Sequence, residues 1–129
     1  MIRLSEKELK RLLNKPNKGR RKYGNVKVEW NGIKFDSIRE RNRYIELSAM
    51  QKEGKISELK CQVKYQLIPE QRIDGKQVEK PVIYIADFTY RAEGKRLVVE
   101  DVKGFRKNPV WIIKRKLMLW LYGIRVMEV

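Results

Sequence analysis

Two runs decide the fold: Val82-Ile83-Tyr84-Ile85-Ala86-Asp87-Phe88-Thr89-Tyr90 and, after a short break, Leu97-Val98-Val99-Glu100-Asp101-Val102-Lys103-Gly104. Both are rich in β-branched and aromatic residues and bounded by turn residues, which predicts two buried strands. Each run is interrupted by charge, Asp87 in the first and Glu100, Asp101 and Lys103 in the second. A lone carboxylate inside an apolar strand is costly unless a metal ion or a lysine compensates it. Two strands that each carry such charges suggest a shared site.

Alternation along a strand sets Asp101 and Lys103 on one face with Leu97 and Val99, and Glu100 on the other with Val98 and Val102. Whether Asp87 joins them depends on the hairpin register. A three-residue loop Ala92-Glu93-Gly94, with Gly94 left-handed, aligns Asp87 with the Asp101 face, whereas a two- or four-residue loop matches it to Glu100. The three-residue loop is expected, because it also gathers Lys103. Asp-x-Lys beside an aspartate on the next strand suits a metal-dependent phosphodiesterase. Carboxylate oxygens hold Mg²⁺, the metal lowers the pKa of a bound water, and the lysine orients the nucleophile or stabilises developing charge. A buried salt bridge from Lys103 to either aspartate is the purely structural alternative.

Working outward, Val26, Val28 and Trp30 alternate with polar residues, Asn31-Gly32 signals a type I′ turn, and Ile33 to Phe35 begins a return strand. A helix follows from Ser37 to about Glu53, closed by Gly54. A strand is predicted over Cys61 to Ile68 and a polar loop over Pro69 to Lys80, ahead of strands Val82 to Tyr90 and Arg96 to Lys103. Pro109 opens a helix to about Tyr122, Gly123 ends it, and Ile124 to Val129 forms a last strand. Glu40 lies one turn before Tyr44 on the first helix and could complete a metal's ligand set. Ser37-Ile38-Arg39-Glu40 is equally a capping box, in which Glu40 only satisfies a backbone N–H.

The chain has 129 residues, in the range of one domain. Residues 1–22 are expected to form a short helix, capped by Ser5-Glu6-Lys7-Glu8, and a flexible basic arm, with residues 23–129 as a single domain. No apolar run approaches the roughly 20 residues of a membrane span, and the first residues lack a signal peptide's apolar stretch. Cytoplasmic location is expected, and the single Cys61 fits a reducing compartment. The absence of histidine excludes Ser-His-Asp hydrolases, histidine-zinc enzymes and nucleases that activate water with histidine. Lys and Arg number 31 against 16 acids, a net charge of +15, which points to a polyanionic partner, nucleic acid first.

The segments Phe35-Asp36-Ser37 with Glu40 and Arg43-Tyr44, then Tyr84 to Phe88, then Val99 to Gly104, resemble a family of phage-encoded nucleases related to Holliday junction resolvases, within the PD-(D/E)XK superfamily. The resemblance runs from about Tyr23 to Val129. It implies an α/β PD-(D/E)XK nuclease-like core, a mixed β-sheet in helix-strand-strand-strand-helix-strand order preceded by a β-hairpin. It further implies Asp87 as first metal ligand, Asp101 as the acid of the second half-motif, Lys103 as its lysine and Glu40 as the helix-borne acid. The cofactor implied is Mg²⁺, with Mn²⁺ substituting, in the cytoplasm of a phage's host. This chain departs from the superfamily name in having Ala86 in place of proline, and Asp101 is the aspartate form of the half-motif.

Candidate phosphate contacts are Lys18, Arg20, Arg21 and Lys22 in the arm, Gln62 and Lys64 on a strand, Arg106 and Lys107 after the site, and Lys114-Arg115-Lys116 on the last helix. For the last three, a solvated face of an otherwise buried helix is the plainer account. Trp30, Tyr65, Phe88, Trp111 and Trp120 are expected in the core. The resemblance favours a four-way junction as substrate and therefore a homodimer, joined through the Leu4, Leu9, Leu12 and Leu13 face or the hairpin at 26–35. A non-catalytic nucleic-acid-binding protein, and a nuclease of DNA ends, flaps or transposon ends, remain alternatives.

Overall fold

The structure, a computed structural model, describes residues 26–102 and 108–129. The expected N-terminal helix and the arm residues Lys18, Arg20, Arg21 and Lys22 lie outside the described residues, as do Lys103, Arg106 and Lys107. The chain forms two compact units, Met1–Glu46 and Leu47–Val129.

In the first unit, β1 (Val28–Trp30) and β2 (Ile33–Phe35) pair antiparallel across the turn Asn31-Gly32. Both turn residues have positive φ, 57° and 79°, as a type I′ turn requires and as the Asn-Gly pair predicts. Val28 faces Phe35 in the ladder, both are buried, and the Phe35 ring packs 5.3 Å from that of Tyr44. Helix α1 (Ile38–Lys52) starts where the Ser37 hydroxyl accepts the Glu40 backbone N–H at 3.1 Å. Its end lies in the second unit. There Gly54, at φ 78°, lets the N–H groups of Gly54 and Lys55 reach the carbonyls of Gln51 and Met50.

The second unit is built on a four-stranded sheet in the order β3 (Ser57–Ile68), β6 (Val82–Arg91), β7 (Leu97–Asp101), β8 (Met127–Glu128). The first two junctions are antiparallel and β7–β8 is parallel, so the sheet is mixed. With two α-helices among the described residues, α1 and α2 (Pro109–Tyr122), the protein is of the α/β class. The last strand is shorter than predicted, because only Met127 and Glu128 pair with β7.

The polar loop expected over Pro69 to Lys80 is instead a second hairpin, β4 (Gln71–Ile73) and β5 (Lys76–Glu79). Asp74-Gly75 turns it with φ of 52° and 78°, the Asp-Gly form of the same turn chemistry. Its strands are wholly exposed, so no hydrophobic alternation marked them in the sequence.

Helix α2 is capped by the Asn108 carboxamide oxygen, which accepts the N–H groups of Val110 and Trp111, and is ended by Gly123 at φ 67°. It packs Trp111 and Met118 onto Leu67, Tyr84, Ala86, Val99 and Val126 to make the core of this unit. Its outer face is apolar yet open. Trp120 is 80% exposed, and Val110 and Ile113 more than half exposed, which corrects the expectation that Trp120 fills the core and the helix is otherwise buried.

Candidate functional site

The connection from β6 to β7 decides which acids meet. Arg91 pairs with Leu97 and Phe88 with Glu100, where the ladder ends one residue short of Asp87 on β6 and of Asp101 on β7. The loop proper is Glu93-Gly94-Lys95, closed by the Ala92 N–H to Arg96 carbonyl bond at 2.8 Å, and so lies one residue later than the expected Ala92-Glu93-Gly94. A shift of one residue in both strands changes the register by two, which preserves the face. Gly94 takes the left-handed conformation in either case, here at φ 74°.

Alternation alone does not explain what surrounds Asp101. Val99 pairs with Thr89, so strict alternation would put Tyr84 and Ala86 on the opposite face from Val99 and Asp101. Yet Tyr84, Ala86 and Val99 share one core cluster beneath α2, and the Tyr84 hydroxyl donates to Asp101 Oδ2 at 2.8 Å. The change of face falls between the pairs Val63–Ala86 and Cys61–Phe88, where Gln62 on β3 sits at φ 54°. Asp87 belongs to this irregular step, and its Oδ2 accepts the Val102 backbone N–H at 2.7 Å. That bond ties the side chain of one strand to the backbone at the end of the next.

Asp87 and Asp101 are 7% and 3% exposed, so both carboxylates sit where water solvates them poorly and each is oriented by a donor. Tyr84 reports their field. Burial, then the negative charge of Asp101 and its hydrogen bond, and then the charge of Asp87, push the phenol far above its usual range, so it remains a proton donor. On the other face Glu100 is fully buried and accepts a hydrogen bond from the Tyr90 hydroxyl. This pairing separates Glu100 from Asp101.

Asp101 opens onto a cavity of about 300 Å³, lined also by Ile83, Tyr84, Ile85, Asn108, Val110, Trp111 and Lys114. Lys114 thereby brings a cation to the lining of the cavity that Asp101 faces. The Trp111 ring lies 5.7 Å from Tyr84, and its indole N–H donates to Glu128 Oε1 at 3.0 Å, which holds the start of α2 against β8. Tyr84 and Trp111 are supports that residue types alone did not reveal. Both look like ordinary core aromatics in the sequence, and only their polar atoms' partners distinguish them.

The other predicted site residues fall as follows. Glu40 is 3% exposed in the first turn of α1, in the first unit, with its own N–H bonded to Ser37 as the capping box requires. Gln62 and Lys64 are exposed on β3, the edge strand of the sheet. Lys114 and Arg115 are half-buried and Lys116 is exposed on α2. Among the described residues no group of three or more His, Cys, Asp or Glu side chains is arranged to hold a metal ion. No described helix is long and apolar enough to cross a membrane.

No curated protein and no solved structure matches the chain significantly. A family model does match, over residues 20–126, and so takes in both aspartates, the cavity and most of the chain. The chain therefore belongs to the family described as "Protein of unknown function (DUF1064)".

Proposed function

We propose that the protein is a metal-dependent endonuclease that hydrolyses DNA phosphodiester bonds, acting on branched DNA in the manner of a Holliday junction resolvase. The observation that carries this reading is the pair Asp87 and Asp101, buried on the neighbouring strands β6 and β7 and each oriented by a hydrogen bond, with Asp101 and Lys114 lining one cavity. Two buried carboxylates on adjoining strands are costly to keep ionised, and a bound divalent cation would offset part of that cost.

The donor set suits Mg²⁺ in kind. Hard oxygens are what it takes, and one or two carboxylates with retained waters suffice, so a third protein ligand is not required. Asp87 and Asp101 would hold it, with Mn²⁺ as a substitute. When bound, such an ion supplies a water of lowered pKa and neutralises charge on the phosphoryl oxygens. The chain's own part is to orient the two aspartates through Tyr84 and the Val102 N–H, and to offer Lys114 to the phosphate. Lys103 is proposed as the lysine of the half-motif. The PD-(D/E)XK-like core and a homodimer that presents two sites to opposed strands belong to the same proposal.

The test is incubation with Mg²⁺ and, side by side, a four-way junction, a flap, linear duplex and single-stranded DNA. Cutting is expected, with branched DNA preferred. Asp101→Asn should abolish cleavage while leaving DNA binding in place, since the basic surface is untouched; full cleavage by that variant overturns the assignment. A second reading is a protein that binds nucleic acid without cutting it, which the net charge of +15 supports by itself. Binding independent of metal, with no product from any of the four substrates, would establish it.

A further inference from the structure

A second cavity, of about 590 Å³, is lined by Arg115, Lys116, Leu119, Arg125, Val126 and Glu128. Three cations and one carboxylate face it, and that carboxylate already accepts the Trp111 indole N–H. Among the described residues, Arg115, Lys116 and Arg125 form no ion pair. Like charges gathered around one concave space repel one another, and a bound anion relieves the repulsion. Arginine adds a planar fork of donors that matches phosphate oxygens.

The position of this cavity relates it to the first. Glu128 is the parallel-ladder partner of Asp101, and Trp111 lines the Asp101 cavity while bonding to Glu128. The Trp111–Glu128 hydrogen bond therefore joins the lining of one cavity to the lining of the other. We infer that the second cavity is a subsite for a backbone phosphate of the DNA strand whose scissile bond lies at Asp101, held by Arg125 together with Arg115 and Lys116. The inference rests on the nucleic-acid reading above and adds Arg125, which follows the helix-ending Gly123 and carries no motif of its own.

The experiment measures binding of a mixed-sequence duplex by fluorescence anisotropy, without divalent metal, over a series of salt concentrations. Each phosphate contact removed lowers the slope of log affinity against log salt by about 0.9. Arg125→Gln and Lys116→Gln should each lower the slope by part of that one increment, and Arg125→Lys should retain the wild-type slope. Lys76→Gln, the same charge change on the exposed β5, should leave the slope unaltered. Arg125 and Lys116 are exposed, so these changes leave the core intact. An unchanged slope in Arg125→Gln overturns the subsite, and so does an equal loss in Lys76→Gln, which would mean diffuse attraction by net charge. Because no metal is present, the salt slopes read phosphate binding alone, and their outcome does not depend on whether the protein cleaves DNA.

Discussion

Tyr84 concentrates the physics of the site in one side chain. Its hydroxyl orients Asp101, its ring packs on Trp111, and its proton is held by burial and by two nearby carboxylates. Tyr84→Phe removes the donor from a buried acceptor and should cost about 1–3 kcal/mol of stability, measured by urea unfolding at neutral pH. The pH dependence follows from the raised pKa. Below about pH 10 the phenol is protonated in both states and contributes no slope; above it the unfolded chain releases the proton while the folded chain keeps it. Unfolding is then favoured by up to about 1.4 kcal/mol per pH unit. The wild type should lose stability more steeply than Tyr84→Phe between pH 10 and 11, and parallel declines would count against the assignment. Asp101 and its face are legible in the sequence, because alternation and a loop of correct parity need only local counting. That Tyr84 belongs to the same face is not legible, since it depends on the irregular step opposite Gln62, a residue with no sequence mark of a left-handed conformation.

Helix α2 shows how one element carries two unlike faces. Met118 is fully buried against the sheet, whereas Trp120, two residues on, is 80% exposed. Met118→Ala should cost about 2–5 kcal/mol, while Trp120→Ala should stay within about 0.5 kcal/mol, a contrast that denaturant midpoints resolve directly. Equal losses would mean that the tryptophan is covered in solution. The start of the same helix depends on Asn108, and Asn108→Ala should lower stability by about 0.5–2 kcal/mol in thermal unfolding. Gly123 after α2, Asn-Gly in the first hairpin and Ser37 before α1 are local chemistry that the sequence predicts, whereas the Asn108 cap is seen only in the structure. The β4–β5 hairpin was the exception. Asp74-Gly75 carried the signal, but strands exposed on every residue have no hydrophobic period to support it.

At the scale of the whole molecule, a net charge of +15 over 129 residues makes binding to a polyanion sensitive to salt. If six to ten phosphates are neutralised, raising salt from roughly 50 to 200 mM should weaken duplex binding by about 10³–10⁵-fold, and a flat response would exclude a phosphate-driven interface. Residue counts set that charge and rule out histidine chemistry, and the succession of residues set the order of most elements through periods of two or 3.6 residues. Tertiary structure decided the mixed direction of the sheet, the donors that orient Asp87 and Asp101 and the convergence of Arg125 with Arg115 and Lys116. The reason is physical. Periodicity tells a residue which way to face, but which strangers it then faces is set by register, by a break in the pleat and by where a helix lies across the sheet, and none of these is a property of neighbouring residues.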